Sequence, residues 1–177
     1  MRGILTKYIE KDIETIAIPQ ELYKKLYTIA CFYTMWCLTL STFIVYLTKK
    51  GYKLPSFIWR SAFSLTAAAS ICGSYVGYVH TNKLVDKFKV HYSLIITTDF
   101  ITHILPLIII ITFKNFMKNN SKKNSKYILP KILLFNTLFG STYIYLFGTN
   151  LYPLEPFTII SGTSFVTLLS SIYYSRI

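Results

Sequence analysis

The chain has 177 residues, of which 53% are hydrophobic, 17% aromatic and only 15% charged. A water-soluble domain carries about 25% charged residues and interrupts its apolar runs at helical or strand periods, so this composition excludes an ordinary soluble fold and points to lipid as the solvent. The net charge of +12 lies in the connections between apolar runs, where it suits anionic headgroups; the expected partner is membrane lipid, and no nucleic-acid partner is expected.

The pattern predicts an all-α fold, a polytopic transmembrane bundle of about five spans. Residues 1–26 hold Glu10, Asp12, Glu14 and Glu21 and no adequate apolar stretch, so they read as a polar tail rather than a cleavable signal peptide, with the bundle occupying 27–177. The first span, Tyr27 to Thr48, contains Thr34 together with Cys31 and Cys37. After Lys49, Lys50 and Lys53 comes a second span, Phe57 to His80. Its Ala69, Gly73 and Gly77 recur at four-residue spacing and offer a stripe for close helix packing. Ser64, Thr66, Ser70 and Ser74 are expected to bond to backbone or to neighbouring helices, and Arg60 and His80 to snorkel to the interfaces. The third span, Tyr92 to Phe113, carries Asp99, His103 and Pro106, and the Lys, Asn and Ser-rich segment from Lys114 to Lys131 reads as a solvated loop. Ile132 to Gly148 is the fourth and shortest span. A connection with Tyr152, Pro153, Glu155 and Pro156 follows, stiff enough to act as a lid, and Phe157 to Tyr174 is the last span. Neither Cys31, Cys37 nor Cys72 falls in a C-x-x-C spacing, and no metal or cofactor is expected. Lys and Arg number eleven on the side of the Lys114 to Lys131 loop against eight on the other, which favours a cytosolic loop and an outside N-terminus. An integral protein of the endoplasmic reticulum or another internal membrane is expected.

Asp99 and His103 are the informative pair. An ionisable group near the middle of a span costs at least about 2.5 kcal/mol, so two of them need a reason. At i and i+4 they share a helix face, where the carboxylate can accept a hydrogen bond from the imidazole. Alternate spans run in the same direction, which puts Thr34 roughly 10 Å deep, Asp99 roughly 10 Å and His103 roughly 16 Å, all in the half of the bilayer that also borders the Tyr152–Pro153 connection. A threonine hydroxyl needs a base to remove its proton as it attacks an ester carbonyl; His103 can be that base, with Asp99 setting its tautomer. Pro106 frees a carbonyl near Thr102 and is expected to open the helix just past His103, exposing backbone groups to substrate.

Three segments in order, FYTMW in the first span, DFITHILP in the third and LYPLEP before the last, resemble the androgen-induced and androgen-dependent membrane hydrolases, which cleave fatty acid esters of hydroxy fatty acids. The resemblance implies a lipid ester substrate, Thr34 as nucleophile and His103 as the catalytic histidine, and it matches that family's Tyr-Pro pair to Tyr152 and Pro153. The family carries a further apolar span ahead of the threonine and a longer interval between its histidine and the Leu-Pro pair. Two other functions fit the residues: a non-catalytic multi-pass protein that shapes or anchors a membrane, such as a viral one, and a proton or small-solute pathway through Asp99 and His103. The Lys, Asn and Ile bias matches an AT-rich genome such as that of a large DNA virus or a protist.

Overall fold

The structure, a computed structural model, describes residues 33–88, 91–122, 127–148 and 155–177. The regular structure of these residues is helical, with no strand among them and an isolated bridge between Pro55 and Lys122. The helices are α1 (Tyr33–Lys49), α2 (Ser56–Val79), α3 (Thr81–Phe88), α4 (Tyr92–Asp99), a π turn (Phe100–Ile104), α5 (Leu105–Asn120), α6 (Ile128–Phe147) and α7 (Pro156–Arg176). The 1–26 tail, the start of the predicted first span and the Tyr152–Pro153 connection lie outside the described residues.

Among the described residues three helices are long and apolar enough to cross a membrane: α2, the continuous Tyr92–Asn120 rod of α4, π turn and α5, and α7. The most apolar window of α2 is 56% buried, whereas those of the other two are 17% and 11% buried. Side chains such as Ile111, Leu94, Phe165 and Leu169 therefore face outward, a surface that water would drive to aggregate and that lipid accommodates. The molecule is a helical bundle of multi-pass membrane type. Three of the about five predicted spans are thus among the described residues; the first is described only in part. α1 is described over 17 residues, and α6, though 20 residues long, is interrupted by Asn136, Thr137, Ser141, Thr142 and three tyrosine or glycine positions that lower its hydropathy.

Helix α2 is the hub because its girth is small. Ser61, Ala62, Ser64, Ala67, Ala68, Ala69 and Ser70 let α1, α5, α6 and α7 approach from several sides. At the α2 N-terminus Trp59 and Phe63 meet edge to face at 5.4 Å between ring centroids, and Tyr174 of α7 closes the cluster at 6.4 and 6.1 Å with Ile44, Val45, Ile110 and Met117 around it. Polar ties cross the bundle as well. Ser41 and Thr66 join α1 to α2 at 2.7 Å, and Thr66 donates to the Cys37 carbonyl at 2.9 Å. Asn136 of α6 donates to Ser64 at 2.7 Å and to Ser171 of α7 at 3.0 Å. Ser70 and Ser74, expected to be bonded, have no partner among the described residues.

Two sequence expectations are corrected here. Arg60 does not snorkel: it is 2% exposed, and its guanidinium donates to the Tyr174 and Ser175 carbonyls at 2.7 and 3.2 Å. Those carbonyls are the unpaired, negative end of α7, which supplies inside the bundle what the interface would have supplied outside. Nor is Lys114 to Lys131 an open loop. α5 continues through Asn120, Ser121 accepts from the Trp59 indole at 3.1 Å, and Lys122 N–H bonds to the Leu54 carbonyl at 3.0 Å. α6 begins at Ile128 and ends at Gly148, whose φ of 72° is open to a residue without Cβ.

Candidate functional site

The site starts from a proline. Pro106 has no N–H, and its ring crowds the carbonyl four residues back, Thr102, so the preceding turn cannot close as an α-helix. It widens instead: Phe100–Ile104 form a single π turn, with Leu105 N–H bonded to the Phe100 carbonyl. The opening was expected just past His103, but it contains His103, because a proline disturbs the turn before it. Winding fewer degrees per residue, the π turn brings His103 more nearly over Asp99 than a regular helix would. The imidazole Nδ1 lies 2.7 Å from the Asp99 carboxylate, and the two side chains are 17% and 22% exposed.

For a neutral imidazole that contact assigns the hydrogen to one ring nitrogen. Thr102 Oγ1 also lies 3.2 Å from Nδ1, but it is farther and uncharged, and it gives its own hydrogen to the Thr98 carbonyl at 2.7 Å. A carboxylate accepts only, so the hydrogen sits on Nδ1 and leaves Nε2 with a free lone pair. Facing Nε2 at 3.1 Å is the hydroxyl of Thr34, which is 4% exposed on α1. The hydroxyl donates to Nε2. Thr34, His103 and Asp99 thus form one hydrogen-bonded chain drawn from two separate helical rods.

Helix α2 backs this chain. The His103 imidazole lies against Gly73 and the Asp99 carboxylate against Gly77. Thr34 also borders a half-open cleft of about 770 Å³ among α1, α2, α6 and α7. Its surface is mainly apolar, with Val76, Ile144, Ile159 and Leu168 in the wall, and hydroxyls such as Thr34 and Thr163 interspersed. Of the three linked residues only Thr34 lines it, together with Gly73, against which the imidazole lies. Pro106 is fully buried and is not among the lining residues; its contribution is to the backbone around His103. Tyr152 and Pro153, expected to form a lid over bound substrate, lie outside the described residues. Among the described residues no group of three or more His, Cys, Asp and Glu could hold a metal ion.

Sequence reasoning took Gly73 and Gly77 for helix packing alone. A signal for more was present. Two adjacent spans run antiparallel, so the step of four from Gly73 to Gly77 matches the step of four from His103 back to Asp99, and the two pairs come into register. Compared with protein-family models, curated proteins and solved structures, the chain matches none.

Proposed function

We propose that the protein is a membrane-embedded hydrolase of fatty acid esters in which Thr34 is the nucleophile, His103 the general base and Asp99 the group that orients and charges-balances the imidazole. The observation that carries the reading is the chain from Thr34 Oγ1 to His103 Nε2 at 3.1 Å and from Nδ1 to Asp99 at 2.7 Å. Thr34 attacks the ester carbonyl carbon while its proton passes to Nε2; the carbon–oxygen bond to the leaving group breaks, and the imidazolium returns that proton to the departing alcohol. Water, deprotonated by the same imidazole, then attacks the acyl-threonine, releases the fatty acid and restores the hydroxyl. Asp99 keeps Nε2 unprotonated at rest and stabilises the imidazolium in each half-reaction.

The cleft supports a long apolar substrate. Thr34 borders a mainly apolar cleft that is open at one side, so an acyl chain can enter from the bilayer between helices and lie beside the hydroxyl. The resemblance to the androgen-induced hydrolases supports the same roles for Thr34 and His103.

The test is hydrolysis of a lipid ester panel by the purified full-length chain in nanodiscs. Thr34→Ala and His103→Ala should each lower turnover by about 10⁴ or to background, with helical content and insertion unchanged. Turnover at the wild-type rate in Thr34→Ala would sink the assignment.

A further inference from the structure

We infer that Gly73 and Gly77 are positioning residues of this site: the absence of side chains at these two positions of α2 forms the seat that holds the His103 imidazole against Thr34 and the Asp99 carboxylate against His103. The inference rests on the proposed hydrolase for its catalytic consequence, though not for the seat itself.

The geometry is specific. A Cβ built on Gly73 falls inside the van der Waals envelope of the imidazole, 2.7 Å from Cε1 and closer still to Nε2 and Cδ2. A Cβ on Gly77 falls 2.8 Å from Asp99 Cγ and closer to Oδ1. Neither neighbour is the free end of a flexible chain. The imidazole is held from both nitrogens, by Thr34 and by Asp99, so it cannot retreat without breaking one of those bonds. The carboxylate is held in turn by Nδ1.

Backbone conformation does not explain these glycines. Both sit inside the regular helix α2 and neither has the positive φ found at Gly51 and Gly148. In a helix interior glycine is less stable than alanine, so space is the remaining reason. Gly162 of α7 is the contrast, since a Cβ there meets nothing within 4 Å. Gly73 also lines the cleft, and a side chain there would narrow the approach to the Thr34 hydroxyl.

The experiment uses full-length protein in nanodiscs, labelled with ¹⁵N-histidine. The chain holds 3 histidines, so the His103 Nδ1 proton can be assigned by its loss in His103→Gln. Gly73→Ala and Gly77→Ala should each shift or erase that proton signal. They should lower kcat by about a hundredfold while KM moves far less, because a base displaced by an ångström is misaligned for the chemical step more than for binding. Both should also melt below wild type, whereas Gly162→Ala, with free space, should melt at or above it. The double variant Gly73→Ala with His103→Ala should recover the thermal midpoint lost in Gly73→Ala, since removing the ring vacates the volume that the new methyl needs.

An unchanged Nδ1 signal with unchanged kcat in Gly73→Ala and Gly77→Ala would overturn the inference. If Gly73→Ala does not fold, the double variant decides: recovery supports the seat and failure to recover overturns it. If wild type cleaves no ester in the panel, the hydrolase reading fails by itself. The imidazole signal and the double variant then still judge the seat.

Discussion

Replacing Asp99 by Asn separates the two things a carboxylate does for His103: it fixes the tautomer, and it stabilises positive charge on the ring. The charge centres of a pair bonded at 2.7 Å are about 4 Å apart, and at an effective dielectric of about 20 their attraction is about 4 kcal/mol, or roughly a thousandfold in rate at about 1.4 kcal/mol per decade. Since the His103 and Asp99 side chains are 17% and 22% exposed, partial water access reduces that, and a loss of about a hundredfold is the expected value. An asparagine whose carbonyl faces Nδ1 keeps the tautomer and loses only this charge term. One whose amide NH₂ faces Nδ1 moves the hydrogen to Nε2, abolishes the base, and should approach the roughly 10⁴ loss expected for His103→Ala. The assay is kcat on the best ester for wild type, Asp99→Asn, Asp99→Ala and His103→Ala, with the Nδ1 proton signal reporting the tautomer. Wild-type kcat in both Asp99 variants would refute the role given to the carboxylate, because the geometry leaves only Thr102, at 3.2 Å, as a replacement acceptor.

Two further outcomes are expected. Asn136→Ala removes both bonds that tie α6 to Ser64 of α2 and Ser171 of α7, and should lower stability in bicelles by about 1 kcal/mol as measured by steric trapping, with no change meaning that the network is idle. Asn119 begins an Asn-Asn-Ser sequon, yet the Ser121 hydroxyl is engaged by the Trp59 indole and the flanking lysines favour the cytosol, so it should carry no glycan in a eukaryotic host; a mobility shift removed by endoglycosidase would invert the topology.

The all-α class was legible from the sequence because apolar runs of membrane length leave helices as the economical way to satisfy backbone hydrogen bonds in lipid. The Asp99–His103 contact was legible for a similar reason, since residues four apart on one helix meet whatever surrounds them. Local chemistry also announced a disturbed helix near Pro106, although its placement over His103 depended on which turn the proline strains. The span count was less legible: α6 is apolar enough to look like a span, but Pro130, Lys131, Asn136 and its hydroxyl residues lower its hydropathy, and Asn136 is turned to Ser64 and Ser171 inside the bundle.

What composition and periodicity could not select was Thr34. Threonines recur along the candidate spans, and no local feature marks one whose partner lies 69 residues away; only the packing of α1 against the π turn brings its hydroxyl to Nε2. Arg60 shows the same limit. Its charge at a span end predicts the interface, and only the arrival of the α7 C-terminus, 114 residues on, offers carbonyls that make burial favourable. Gly73 and Gly77 lie between the two cases. Their spacing fixed a face where something must come close, and the tertiary structure decided that it is an imidazole and a carboxylate, because antiparallel packing put one step of four against the other. Sequence determines what each residue can do within its own helix, where neighbours are set by the chain. Which of those capacities meet is decided by packing between helices, where neighbours are set by shape.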